Sequence, residues 1–517
     1  MGPDARPDVI VVGAGSAGSV LARRLLDAGR SVLLLEAGPP ETNPAIAELA
    51  RLGELWRSEV DWNYSTVPQA GAGGRRLFLP RGKVVGGSHA LNACIWVRGC
   101  REDYDGWARA GNAGWGWDDV LPVFRDIENF QHGASDVHGA DGLLDVVADY
   151  PLHPLQQAVL EAAQQAGIDR VADCNAGRLD GVAPQQVTTR DGRRFNTWHA
   201  YLRPVLDHPA LEVVTGAWVH DLLLEAGAVR GVRYALPDGS VQEVRADTVV
   251  LSAGALDTPR VLLRSGIGPA AELAALGVDP VHDLPGVGKN LHDHLLVPVI
   301  VQTEREIPLP GPGQSATQVH WWWRSRPGLD RPDTQPLVFS VPMYGDTLNG
   351  PADAFTIYAA LVTPRSRGTL TLTGPDPADP TAIDLGALTH PDDVTSLVAS
   401  VQQARQVARQ PALAGWGPTE LHPAAGLEGP ELEEYVRQNV CTYHHQVGTA
   451  RMGTDELAVV DPRTLAVHGV TGLHVADASV IPTIPAGNTN APSILIGEKA
   501  ARALIAATDG AGVAAAV

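Results

Sequence analysis

Gly13, Gly15 and Gly18 fall in G-x-G-x-x-G spacing within the stretch GAGSAG. That spacing suits one task, the holding of a pyrophosphate. Gly13 permits a tight turn. Gly15 lets backbone N–H groups come close to phosphate oxygens, and Gly18 lets the following helix pack tightly on the preceding strand. Glu36 stands about twenty residues beyond, where a carboxylate accepts hydrogen bonds from both ribose hydroxyls of an adenosine. An acid there repels a 2′-phosphate, which disfavours NADP. The stretch does not separate FAD from NAD.

These residues need a strand, a helix and a second strand to hold them. Val9–Val12 is a short apolar β-branched run, as a buried parallel strand requires. Val20, Leu21, Leu25 and Leu26 recur at helical spacing, and Gly29 stands where a C-cap belongs. A second strand, Val32 to Leu35, ends on Glu36. The helix follows the glycines, so the unpaired N–H groups and partial positive charge of its N-terminus face the phosphates.

The whole composition fits a large soluble enzyme. The chain has 517 residues, 44% hydrophobic and 19% charged, enough for a sizeable core and more than one domain. Its net charge of −20 argues against nucleic acid and against anionic membrane surfaces as partners, since both require basic patches. Cys94, Cys100, Cys174 and Cys441 include no C-x-x-C pair, so neither a redox dithiol nor a zinc site is expected. No run approaches the ~18 apolar residues of a membrane span. The first apolar run is already the nucleotide strand, so a signal peptide would overlap the fold and a cytoplasmic location is expected.

Beyond Glu36 the chain loses periodicity through residues 39–80. RGKVVGGSHALNACIWVRG (81–99) brings a Gly-Gly pair and small residues into a segment that could lie flat against a planar ring. Residues 103–128 read as helix at both ends around a Gly/Trp turn, with Trp107, Trp115 and Trp117 as packing anchors. Residues 154–166 read as a helix. The polar stretch 167–194 reads as loop, a lid or an excursion to a second domain. Residues 211–251 read as a small antiparallel unit returning to a parallel strand at Thr248–Leu251. Residues 297–445 change character, with strand-like stretches between Pro-rich turns, an antiparallel sheet covered by helices near 392–410 and 430–439. A last helix, from about Ile494 to Ala506, should dock on the nucleotide domain.

Taken in order, GAGSAG (13–18), GKVVGGSHALN (82–92), GALDTPRVLLRSGIG (254–268), LPGVGKNLHDH (284–294), HQVGTARMG (445–453) and DASVIPTIPAGNTNAPSI (477–494) resemble the glucose–methanol–choline (GMC) family of flavin oxidoreductases along nearly the whole chain. The resemblance implies a mixed α/β protein: a Rossmann-like FAD-binding domain and a substrate domain built on an antiparallel sheet covered by helices. It implies FAD-binding segments at 1–155, 195–296 and 450–517, and substrate-binding segments at 156–194 and 297–449. By that analogy Gly13, Gly15, Ser16, Ala17, Gly18, Glu36 and Ala37 hold the ADP half, and the backbone of Val219 contacts adenine. Val85, Gly87, Asn92, Ala93 and Cys94 run beside the flavin, and Asp477 and Ala478 form the turn on its other side. Some members attach FAD covalently through a histidine just before the asparagine. Leu91 occupies that place here and His89 is out of register, so non-covalent FAD is expected.

Alcohol oxidation by hydride transfer needs a base for the hydroxyl proton and a group to hold the oxygen. His445 matches the family's base. Asn488 falls on the second catalytic position, where its amide orients the substrate oxygen but takes no proton. His444 is either structural or pocket-lining. His292 and His294 flank Asp293 in NLHDH without sharing a strand face with it, so no metal is expected. In the choline-oxidising members a glutamate stands near the place of Trp321. Its replacement argues against choline, and the Trp321–Trp323 run suggests a flat or apolar alcohol, aryl or furanic, if it lines the pocket rather than the core. Trp321 and Trp323 are therefore candidate pocket residues. The expected partners are a small alcohol and O2 or another electron acceptor. The alternative is a non-redox lyase of the hydroxynitrile type on the same fold.

Overall fold

The computed structural model describes residues 6–514. A five-stranded parallel sheet forms the nucleotide side, in the order Leu211–Thr215, Val32–Glu36, Val9–Val12, Val249–Leu251, Leu473–Val475. Val9–Val12 lies at its centre with both faces covered, which is why all four of its residues are buried and apolar. The strands on either side of it continue in opposite directions across the sheet. A crevice therefore opens at their carboxyl ends, the place where such sheets bind ligands. Gly13 and Glu36 both stand there, each one residue past or at the end of its strand.

The helix Ser16–Asp27 follows the glycine turn, with Ala17, Val20, Leu21, Leu25 and Leu26 on its buried face. The antiparallel unit is a three-stranded meander, Trp218–Glu225, Ala228–Ala235 and Val241–Arg245, leading back to the parallel strand. The C-terminal helix runs Asn490–Ala514 and begins four residues before the expected Ile494. It docks on Ser16–Asp27 so closely that a Cβ at Gly497 would meet the Ala17 carbonyl at 2.6 Å. Arg24 fastens the pair through both oxygens of buried Glu498, at 3.0 Å each.

The second sheet is antiparallel. Its main path is Thr419–His422, Leu295–Gln302, Ala354–Leu361, Leu337–Phe339, Thr317–Trp322 and Gly181–Pro184, with Cys441–Thr442 also paired to Leu295–Gln302. The Gly181–Pro184 strand lies inside the stretch expected to be loop; its four residues offer no alternation to read. Helices Pro391–Ala408 and Pro154–Gln165 cover one face. Side chains alternate between the two faces with the pleat. Val297, Val299, Ile357, Val338 and Trp321 join the main core beneath the helices. Leu296, Tyr358, Leu337, Phe339 and Trp322 join a second cluster on the opposite face, with Ile95 and Tyr443.

Candidate active site

One elongated cavity runs from the glycine turn to that second cluster. At the nucleotide end it is lined by Gly13, Gly15, Ser16, Ala17, Glu36, Ala37 and Val219. The geometry shows why glycine is needed. Gly13 has φ +103°, and Gly18 packs so that a Cβ would fall 2.0 Å from the Gly13 carbonyl. Gly87, at φ +53°, faces Gly15 across the cavity, and a Cβ on it would fall 2.7 Å from the Gly15 Cα. No side chain caps the Ser16 helix at Gly15, so its first N–H groups stay free for an anion. Ser16 Oγ donates to Asn490 Oδ1 at 2.7 Å, which brings the N-terminus of the C-terminal helix to the same wall. Asn490 Nδ2 is buried with no partner among the described residues.

Glu36 accepts from Ala14 N at 2.9 Å and Gly38 N at 2.8 Å, one bond to each carboxyl oxygen. Burial pushes its pKa up to about 7, against the pull of those two amides. Each oxygen keeps a lone pair for a ribose hydroxyl. Further along, Gly87, Asn92, Ala93, Asp477 and Ala478 line the cavity. Asp477 is held by Gly254 N at 2.9 Å, Thr258 Oγ1 at 2.5 Å and Ser479 N at 2.8 Å.

Five expected site residues lie off the cavity wall. Gly18 acts through packing alone. The Val85 side chain turns into the core. Cys94 has φ +58° and points its sulfur at Arg194, with Nη1 3.1 Å away, because its N–H closes a turn on Asn92 Oδ1 at 2.9 Å. Trp321 and Trp323 are not pocket residues. The pleat turns Trp321 to the helical face, where its Nε1 donates to Gln403 Oε1 at 2.8 Å, and Trp323 packs on the same core. Trp322, between them, faces the cavity-side cluster and donates to the Ala486 carbonyl at 2.9 Å.

At the far end His445 and Asn488 meet. Asn488 Nδ2 lies 3.3 Å from His445 Nε2. The His445 ring stacks on Tyr443 with centroids 4.3 Å apart, and its Nδ1 lies 3.0 Å from His294 Nδ1. Asp293, buried, accepts from His445 N at 2.7 Å and from the Gln446 side chain. Burial holds His445 neutral well below the usual histidine range, with His294 and Arg81 adding to the effect. His444 lines the cavity too. It has φ +66°, its ring accepts or donates to Thr442 Oγ1 at 2.6 Å, and its carbonyl is gripped by Arg81. Arg81 keeps its charge at neutral pH, since burial lowers its pKa only to about 10.

Sequence reasoning missed Arg81, Trp218, Arg260, Asn490 and His294. Trp218 and Arg260 flank Val219, with the guanidinium 4.9 Å over the indole. Arg260 stands inside GALDTPR, a motif whose spacing names no ligand contact by itself. Among the described residues no group of three or more His, Cys, Asp or Glu is arranged to hold a metal. His292 is engaged instead, with Nε2 accepting from Ile484 N at 2.9 Å and Nδ1 2.6 Å from the Asn290 carbonyl.

The uncapped helix, the glycine pair and the buried carboxylate with free lone pairs fit the ADP half of a flavin dinucleotide. Family models described as GMC oxidoreductase match residues 7–296 and 364–497. An alcohol dehydrogenase [acceptor] from Pseudomonas putida is 35% identical over 97% of this chain and 96% of its own length. An oxygen-dependent choline dehydrogenase from Brucella ovis is 34% identical over 97% and 96%. The crystal structure of pyridoxine 4-oxidase from Mesorbium loti superposes with a TM-score of 0.92 at 34% identity, covering 96% of this chain and 99% of that one. The chain belongs to the GMC oxidoreductase family, FAD-dependent enzymes acting on CH–OH donors.

Proposed function

We propose that this enzyme oxidises a primary alcohol with an apolar body, aryl or furanic, to the aldehyde, with His445 as the base. The observation that carries this reading is the His445–Asn488 pair at the wall of a cavity whose adjoining end is apolar. His445 Nε2 takes the hydroxyl proton, and the Asn488 amide, 3.3 Å from it, holds the substrate oxygen. When bound, FAD supplies the acceptor for the hydride that leaves the carbinol carbon. The half-buried charge of Arg81, beside His444, favours negative charge developing at this end.

Substrate class follows from the lining. Leu296, Leu337, Phe339, Met343, Tyr358 and Tyr443 form the apolar end. The carboxylates lining the cavity among the described residues are Glu36, Asp257 and Asp477. Glu36 is tied to the glycine turn, Asp257 to Tyr64 and Arg260, and Asp477 to Thr258 and Gly254. None is left at the apolar end for a quaternary ammonium, which supports the exclusion of choline.

Non-covalent attachment of FAD is supported by His89. Its Nε2 lies 2.9 Å from Thr188 Oγ1, its Nδ1 accepts from Thr197 N at 3.4 Å, and it does not line the cavity. The base assignment is tested with His445→Ala. The variant should keep its FAD and reduce it at least ~10²-fold more slowly with alcohol under anaerobic conditions. Near-normal reduction contradicts the assignment. Asn488→Ala should be milder.

A further inference from the structure

The base assigned above has two ring nitrogens, and only the one carrying a lone pair toward the substrate can act. A buried imidazole takes the tautomer that its other hydrogen bond dictates. Around His445 the hydrogen bonds form a chain whose direction is set from its Gln335 end. Gln335 Nε2, a donor only, lies 3.1 Å from Asn488 Oδ1. Asn488 therefore turns its Nδ2, also a donor only, to His445 Nε2, which must accept. That leaves the proton of neutral His445 on Nδ1, 3.0 Å from His294 Nδ1. His294 must accept there, so its own proton sits on Nε2. At the far end His294 Nε2 is buried and makes no hydrogen bond among the described residues.

The fold holds this pair in place. Leu295 and Leu296 pair antiparallel with Thr442 and Cys441, Tyr443 N donates to the His294 carbonyl at 2.9 Å, and His292 bridges Val447. The ladder thus lays residues 292–294 against 443–447, and His294 packs edge-on to the His445 ring with centroids 5.2 Å apart. His294 is fully buried.

We propose that His294 is a positioning residue that fixes His445 as the Nδ1–H tautomer, so that Nε2 carries the lone pair, which the Asn488 amide holds until a substrate hydroxyl takes its place. This rests on His445 being the base. After proton transfer His445 becomes a cation with Nδ1–H still donated to His294, so the same contact also steadies the charged form. The proton taken from the alcohol ends on Nε2, and no second transfer to His294 is needed.

Four holoenzymes decide the matter: wild type, His445→Ala, His294→Leu and His294→Gln. His294→Leu, which keeps bulk and removes the acceptor, should slow anaerobic flavin reduction about 10–100-fold while the KM for alcohol stays unchanged. His294→Gln, whose carbonyl oxygen can accept from Nδ1–H, should recover most of that loss. In 15N-histidine-labelled holoenzyme, the His445 signals, identified by their disappearance in His445→Ala, should show a protonated Nδ1 and a bare Nε2. A bare Nδ1 in the wild type overturns the proposal even if His294→Leu does not fold. So does wild-type reduction by His294→Leu, or a His294→Gln variant as slow as His294→Leu. Normal reduction by His445→Ala would instead overturn the base assignment itself.

Discussion

Glu36 carries a second consequence of burial at the scale of a single residue. Its carboxyl, pushed up to about 7, is roughly half protonated at neutral pH before FAD is bound. Ribose hydroxyls donate to the ionised form, so bound FAD lowers that pKa and binding releases a proton. Affinity of the apoprotein for FAD should therefore rise as pH goes from 6 to 8, by up to about tenfold per unit of pKa difference. Fluorescence titration at several pH values checks this, and Glu36→Gln should flatten the profile while weakening FAD at high pH. Glu36 was legible because its place relative to the glycines is fixed by one strand–helix–strand unit. His294 was not, because 151 residues separate it from His445 and only the antiparallel ladder brings them together.

The pleat decides roles at the scale of elements. Three adjacent tryptophans left pocket and core both open; alternation sends Trp321 and Trp323 to the helices and only Trp322 to the cavity side. Trp321→Phe strands Gln403 Oε1 in the interior and should cost about 1–3 kcal/mol of stability, seen as a lower melting temperature, with no change in KM. Phe339→Ala, on the other face, should raise the KM for an aryl alcohol about tenfold or more with little loss of FAD. Equal effects on KM would contradict this division of the sheet. The close approach of the two glycine turns makes Gly87→Ala severe for a methyl group: both its φ of +53° and the 2.7 Å contact with Gly15 are against it, and FAD content should fall first. The continuous apolar run Val9–Val12 and the helical patterns within Pro391–Ala408 and Gly429–Asn439 were readable from their residues. The four-residue strand Gly181–Pro184, with a glycine and a proline at its ends, was not.

At the scale of the molecule, one cavity is assembled from segments spread between Val12 and Ser493. The family motifs located most of its wall, since each is a turn or helix start whose backbone must come close to a ligand. What they could not show is which side chains face each other across it, such as Asn490 with Ser16, or Arg81 with His444. Among the described residues no helix is long and apolar enough to cross a membrane. Because His89 is fully engaged elsewhere, acid precipitation should leave the yellow colour in the supernatant; a yellow pellet contradicts non-covalent FAD. The most direct test of the whole account is anaerobic mixing of the holoenzyme with benzylic and furanic primary alcohols, choline and a cyanohydrin, followed at the oxidised-flavin band. Rapid bleaching by the aryl and furanic alcohols, and none by choline, is the predicted result. Cyanohydrin cleavage with no bleaching by any alcohol would contradict it.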